Sequence, residues 1–242
     1  MIYDKITLMR IHFLEFGKKG KPIVFLHGWQ QNSRSFLPLV NFLCQNYRLF
    51  LLDLPGFGQS EAPPNHFCSI DYAKQIQDWI KKNKLRNITL VGHSFGGKVA
   101  AIIASQKPQF LEKLVLIASA GIPQPPKHAT LFRLIPDKLK QKIPLRFKFI
   151  FASEDYKNAG DLLTIFKRII GEDIRPLLAK IRVPTLILWG KNDNELPPED
   201  GKTIKKYVKN SQLVFIGNGH FPFWENPKNT STLIKKFIEN GH

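Results

Sequence analysis

Three residues far apart in the chain, Ser94, Asp193 and His220, have the side-chain types that together do nucleophilic chemistry. A serine hydroxyl is a weak nucleophile until a base takes its proton, and an imidazole serves best as that base when a carboxylate orients it. Ser94 lies in Asn87 to Gly97, NITLVGHSFGG, between Gly92 and Gly96 at G-x-S-x-G spacing. That motif is short and Gly-Ser pairs are common in ordinary loops, so its weight rests on context. The apolar run Ile88 to Val91 reads as a buried strand and Val99 to Ala104 as the body of a helix, which puts Ser94 on the turn between them. Glycines on either side suit a turn where backbone meets backbone, and they form a nucleophile elbow. The next N–H, that of Phe95, would point at an oxygen held beside Ser94.

The acid and the base sit in later loops. Asp193 follows the apolar run Thr185 to Trp189 in GKNDNELP, and His220 follows Leu213 to Ile216 in GNGHFPFWENP. In an open parallel sheet the loops after the carboxyl ends of strands gather along one edge, so these residues can converge. Nucleophile, acid, base is also the chain order of one known triad arrangement. Other readings stand beside this one. Asp193 is flanked by Asn192 and Asn194, and such residues also make plain turns. Asp53 is a rival acid, although its place in DLPGFGQS suits structural hydrogen bonding better. After Leu111 to Ile117 come Ala118, Ser119 and Ala120, none of which can serve as the acid. His12, His27 and His93 read as packing or hydrogen-bonding residues rather than bases.

The elements that must position these residues alternate. Strands are expected at Ile2 to Leu8, Arg10 to Phe16, Pro22 to His27, Tyr47 to Leu52, Ile88 to Val91, Leu111 to Ile117, Thr185 to Trp189 and Leu213 to Ile216. Helices are expected over Ser33 to Gln45, Ser69 to Lys82, Asp200 to Lys209 and Thr230 to Asn240. This alternation argues for βαβ units and a mostly parallel sheet, with the first two strands an antiparallel edge. From Gly121 to Arg175 the rhythm breaks. Basic residues, scattered prolines and aromatics appear with short helical patterns such as Gly160 to Ile170, but no convincing strand. The chain therefore divides into a core over 1–120, an inserted helical cap over 121–175 and a second core segment over 176–242.

Bulk properties narrow the class. A chain of 242 residues can bury a full core as one domain with an insertion. No apolar run approaches the roughly 18 residues of a membrane span, and the N-terminus lacks a signal-peptide pattern, so a cytoplasmic protein is expected. Cys44 and Cys68 have neither metal-ligand nor C-x-x-C spacing and read as free thiols. The formal charge of +17 is spread along the chain without an Arg-rich helix or basic-aromatic alternation, so lysines on solvated faces explain it better than a specific nucleic-acid partner. No His/Asp/Glu cluster has metal-ligand spacing, so neither a metal nor a cofactor is expected.

The motifs His27-Gly28-Trp29, Asp53 to Ser60, Gly92 to Gly97, Gly190 to Asp193 and Gly219-His220 resemble those of the α/β-hydrolase family, in particular its compact, cap-bearing esterase-like members. The resemblance covers nearly the whole chain, with 121–175 its least specific part. It implies an eight-stranded sheet with helices on both faces and a hydrolytic site under the cap. It also implies that the backbone N–H of Trp29 joins that of Phe95 in an oxyanion hole. Relatives that displace halide or open epoxides carry aspartate where Ser94 stands. Those that cleave carbon-carbon bonds tend to have asparagine and tryptophan where this chain has His93 and Phe221. The expected activity is therefore hydrolysis of a small-molecule ester of short to medium acyl length, with a lactone such as an acyl-homoserine lactone as the rival substrate. A slowly turning over small-molecule receptor is the non-enzymatic alternative. The acyl pocket is expected to be apolar and lined by Trp29, Phe132, Phe149, Phe151 and Phe221.

Overall fold

The computed structural model describes residues 8–123 and 160–240. Its centre is a sheet of strands β1 (Phe13–Phe16), β2 (Pro22–Leu26), β3 (Arg48–Leu52), β4 (Ile88–His93), β5 (Leu111–Ile117), β6 (Thr185–Trp189) and β7 (Ser211–Phe215), in the order β1-β3-β2-β4-β5-β6-β7. All neighbours are parallel except β1, which runs antiparallel to β3.

Among the described residues the sheet thus has seven strands rather than the expected eight. The strand expected at Ile2 to Leu8 falls almost wholly outside the described residues. The next strand is shorter than its sequence pattern, and the reason is local. The N–H groups of Met9, Arg10 and His12 donate to side chains, Gln75 Oε1, Glu61 Oε2 and Ser60 Oγ, so a regular ladder begins only at Phe13.

The inner strands β2 to β6 are mostly apolar on both sides because helices cover both faces. Val24, Leu26, Ile88, Leu90, Leu114, Leu116, Ile187 and Trp189 point into one cluster. Helices α2 (Ser69–Lys82), α3 (Phe95–Ser105), α4 (Leu163–Ile170), α5 (Arg175–Leu178) and α6 (Pro198–Tyr207) pack there. The alternate residues, Ile23, Phe25, Val91, Val115, Ile117, Leu186 and Leu188, face the other cluster. That face is closed by α1 (Leu37–Leu43), α7 (Pro222–Glu225) and α8 (Pro227–Asn240). Burying each such side chain is worth about 1.5–3 kcal/mol, so both layers hold the sheet.

Two helices differ in detail from their patterns. The helix expected from Ser33 opens as a 3-10 turn, Ser33–Phe36, with Asn32 accepting from the Arg34 N–H, before α1 begins at Leu37 ahead of Pro38. The stretch PFWENP contributes the short α7, which periodicity alone does not reveal.

A buried lysine anchors the last helix. Lys113 Nζ, on β5, donates to the carbonyl oxygens of Phe237 and Ile238 at 2.7 Å each, near the C-terminal end of α8. Replacing it by methionine strands these carbonyls. Lys113→Met is expected to cost about 2 kcal/mol and to lower Tm by about 4–8 °C, measured by thermal unfolding.

Candidate active site

The turn after β4 is where the backbone is most constrained. Ser94 has φ +50° and ψ −117°, a conformation that non-glycine residues adopt only when the surroundings enforce it. The enforcing bonds are all backbone: Ser94 N–H donates to Ile117 O at 3.1 Å, and Ser94 O accepts from Lys98 and Ala120 N–H. A Cβ on Gly92 would stand 2.4 Å from Gly96 O, and one on Gly96 would stand 2.1 Å from Leu26 O. Both positions therefore admit only glycine. His93 and Phe95 are buried while Ser94 is partly exposed, so the elbow lifts its side chain out of the core. Phe95 opens α3, and its N–H belongs to the first turn, which has no intrahelical acceptor.

Asp193 and His220 come together by the lacing of two loops. Ile216 N–H bonds to Trp189 O at 2.8 Å and Asn192 N–H to Asn218 O at 2.7 Å. Gly190 permits this approach, because a Cβ there would meet Gly219 O at 2.0 Å. On the far side the Glu225 carboxylate accepts the N–H groups of Asn218 and Gly219 at 2.5 and 2.8 Å. Glu225, on the unforeseen α7, is thus a supporting residue that sequence reasoning missed. With the loops fixed, His220 Nδ1 lies 2.7 Å from Asp193 Oδ2, both residues being buried. A carboxylate there accepts from Nδ1–H and leaves Nε2 as the basic nitrogen. Asp193 is also a turn residue, as its neighbours suggest: its Oδ1 accepts the N–H groups of Glu195 and Leu196, each at 2.9 Å.

The two remaining buried histidines tie these parts together. His93 donates from Nε2 to the carbonyl oxygen of His220 at 2.9 Å, and the two rings lie 4.7 Å apart. The residue before Ser94 is thereby fastened to His220 itself. Burial, reinforced by neighbouring His220, holds His93 neutral, its pKa well below the usual value. His27 donates from Nδ1 to Gly28 O at 2.7 Å and accepts the Leu54 N–H on Nε2 at 2.9 Å. Burial brings its pKa down to about 4, against the opposing effect of the Gly28 bond. The loop Gly28-Trp29 is held close to the elbow, since a Cβ on Gly28 would lie 3.2 Å from Ser94 Cβ.

Trp29 projects into an aromatic wall. Its ring lies 4.8 Å from Phe57, 5.5 Å from Phe95 and 5.0 Å from Phe166. Phe57 and Phe166 are wall residues that the sequence did not single out. Phe166 is brought over Trp29 because α4 is clamped to the core. Buried Lys98, on α3, donates to Ile169 O and Glu172 O and pairs with Glu172 Oε2 at 3.3 Å, while Arg168 donates to Phe67 O at 3.0 Å. Burial lowers the Lys98 pKa, and Glu172 opposes that. Phe221 instead packs beside His93, His220 and Trp224, on the opposite face of the sheet. Phe132, Phe149 and Phe151 lie outside the described residues, as does most of the cap expected over 121–175. Among the described residues no group of three His, Cys, Asp or Glu side chains could hold a metal ion, and no helix is long and apolar enough to cross a membrane.

Asp53 has a different task. Its Oδ1 accepts Ser33 N–H at 2.6 Å, and its Oδ2 accepts Gln59 N–H at 2.9 Å and faces His12 Nδ1 at 2.7 Å. Burial alone would raise its pKa, but the bonds from Gln59, Ser33 and His12 outweigh it and hold the carboxyl below the ordinary range. The stabilisation is therefore complete above about pH 4 and is lost as the pH falls through the lowered folded-state value. Asp53→Asn is expected to lower stability at pH 7 by about 1–3 kcal/mol, and chemical denaturation should show the gap closing in acid. At the elbow, Gly96→Ala should cost about 3 kcal/mol or more. Gly171→Ala is the control: its φ is −85° and a Cβ there meets only Arg168 O at 3.8 Å. That substitution should be neutral or stabilise by up to about 1 kcal/mol.

Comparison with known proteins bears on the whole arrangement. The family model for the alpha/beta hydrolase fold matches residues 21–162 and 146–227. Lipase 3 of Moraxella sp. (strain TA144) is 28% identical over 244 residues, covering 90% of this chain and 77% of the lipase. The 2-hydroxy-6-oxononadienedioate/2-hydroxy-6-oxononatrienedioate hydrolase of Escherichia coli (strain K12) is 28% identical over 265 residues, 95% of this chain and 91% of that protein. Among solved structures, an esterase from Exiguobacterium antarcticum superposes with a TM-score of 0.77 at 26% identity, covering 96% of each chain. With the elbow, the parallel sheet and its antiparallel edge strand, the match shows that this chain belongs to the α/β hydrolase fold family.

Proposed function

We propose that the protein is a metal-independent serine hydrolase of carboxylic esters, with Ser94 as nucleophile, His220 as general base and acid, and Asp193 as the residue that orients His220. The observation that carries this reading is the 2.7 Å bond between Asp193 Oδ2 and His220 Nδ1, on a loop whose His220 carbonyl accepts from His93, the neighbour of a serine held at φ +50° on a strand-to-helix turn. His220 Nε2 takes the proton of Ser94 Oγ as the oxygen attacks the ester carbonyl. Asp193 stabilises the imidazolium that results. The tetrahedral oxyanion is met by the backbone N–H groups of Phe95 and Trp29, each such donor being worth about 3–4 kcal/mol in the transition state. The proton then passes from Nε2 to the departing alcohol oxygen, leaving an acyl-enzyme that water hydrolyses by the same steps in reverse.

The acyl chain is received by the apolar wall of Trp29, Phe57 and Phe166. That wall favours apolar acyl chains over polar ones. A lactone undergoes the same attack at an ester carbonyl and is the closest rival substrate. Carbon-carbon hydrolysis, the activity class suggested by the relative named for dioates, is the less supported reading. Those dioates are dianions, whereas the described wall around Trp29 is aromatic.

Hydrolysis of p-nitrophenyl esters across acyl lengths tests the proposal. Ser94→Ala and His220→Gln are each expected to lower kcat by about 10⁴-fold or more, and a chelator should leave the native rate unchanged. Equal activity of the native chain and Ser94→Ala would remove the serine mechanism. Multiple rapid turnovers would reject a receptor role. A higher kcat/KM on lactones than on linear esters would move the substrate assignment to the rival class.

A further inference from the structure

The imidazole of His220 faces carboxylates at both nitrogens. Asp193 Oδ2 stands 2.7 Å from Nδ1, and Glu195 Oε2 stands 3.7 Å from Nε2, the nitrogen that exchanges protons with Ser94 and the leaving group in the reading above. One turn supplies both carboxylates. Asp193 Oδ1 accepts the Glu195 N–H at 2.9 Å, so the residue that orients the ring also fixes the backbone from which Glu195 reaches its other side. The two differ in surroundings. The Asp193 side chain is inaccessible, whereas that of Glu195 is 55% exposed.

We propose that Glu195 is a specificity-determining residue that makes the leaving-group side of this site electronegative, so that esters with a cationic alcohol portion are favoured over neutral ones and anionic ones are disfavoured. The inference rests on the serine-hydrolase reading. The alcohol oxygen must approach Nε2 to receive the proton that Nε2 took from Ser94 Oγ, so a charged group on the alcohol enters the field of a carboxylate a few ångströms from that nitrogen. An ammonium there is attracted and a second carboxylate is repelled. The same carboxylate stabilises the imidazolium formed during acylation, so a neutral substrate also gains modestly. Glu195 is exposed, so its attraction is partly screened and acts as a preference rather than an absolute filter.

Three butyrate esters of similar size make the test: 3-(trimethylammonio)phenyl, 3-tert-butylphenyl and 3-carboxyphenyl butyrate, with phenol release followed spectroscopically for the native chain, Glu195→Gln, Glu195→Lys and Ser94→Ala. Glu195→Gln keeps the backbone N–H that bonds to Asp193. It is expected to lower kcat/KM for the cationic ester about fivefold and to raise it for the carboxylate about fivefold relative to the neutral ester. Glu195→Lys should carry both changes further. The native preference should shrink at about 1 M salt, where the Debye length falls to about 3 Å. An unchanged three-substrate ratio in Glu195→Gln, or an equal loss on all three esters, overturns the role of Glu195 while leaving ester hydrolysis standing, provided Ser94→Ala is inert. A native chain inert on all three esters, or a Ser94→Ala variant as active as the native chain, overturns both readings together.

Discussion

Everything around the site depends on one close backbone approach, that of α3 to the end of β2. A Cβ on Gly96 would lie 2.1 Å from Leu26 O and 2.5 Å from His27 O, so only a residue without a side chain lets the helix start where it does. That start follows Ser94 in its positive-φ turn, close to Gly28, where a Cβ would lie 3.2 Å from Ser94 Cβ. The cost of an unfavourable dihedral, of order 1–3 kcal/mol, is met by backbone bonds from Ser94 to Ile117, Lys98 and Ala120 and by the buried layers on both faces of the sheet.

A second constraint is electrostatic. His27, His93 and His220 lie within one buried region, and three imidazolium ions there would repel one another. Burial removes the problem for two of them. His27 and His93 are each held neutral and serve as hydrogen-bonding struts, the first between Gly28 and Leu54 and the second onto the carbonyl of His220. Of the three, only His220 bonds to a carboxylate among the described residues. The division of labour among chemically identical side chains therefore follows from their partners and not from their residue type.

The same logic separates the acidic residues. Asp53 and Asp193 each accept two backbone N–H groups and face one imidazole, and Asp53 accepts the Ser33 side chain as well. They differ in which histidine they face. His12 is held by the loop bonds of Ser60 at the edge of the sheet, whereas His220 sits against the strand that leads to Ser94.

The sequence by itself determined the alternation of the seven described strands with the longer helices and the strand-to-helix elbow, and it singled out Asp193 and His220, which the structure joins by a hydrogen bond. Apolar periodicity and glycine spacing are local, and the collection of strand-end loops on one edge is a rule of parallel sheets. It also favoured a structural role for Asp53, His27 and His93, which the hydrogen bonds match. Only the tertiary structure decided where the edge strand begins, because the donors of Met9, Arg10 and His12 are captured by side chains of residues 48–66 positions away. It alone brought Phe57 and Phe166 to Trp29, put Glu225 beneath the His220 loop and set Glu195 against Nε2. Such pairs are joined by folded geometry across long stretches of chain or around a turn, and neither period nor motif encodes the direction in which a loop side chain points.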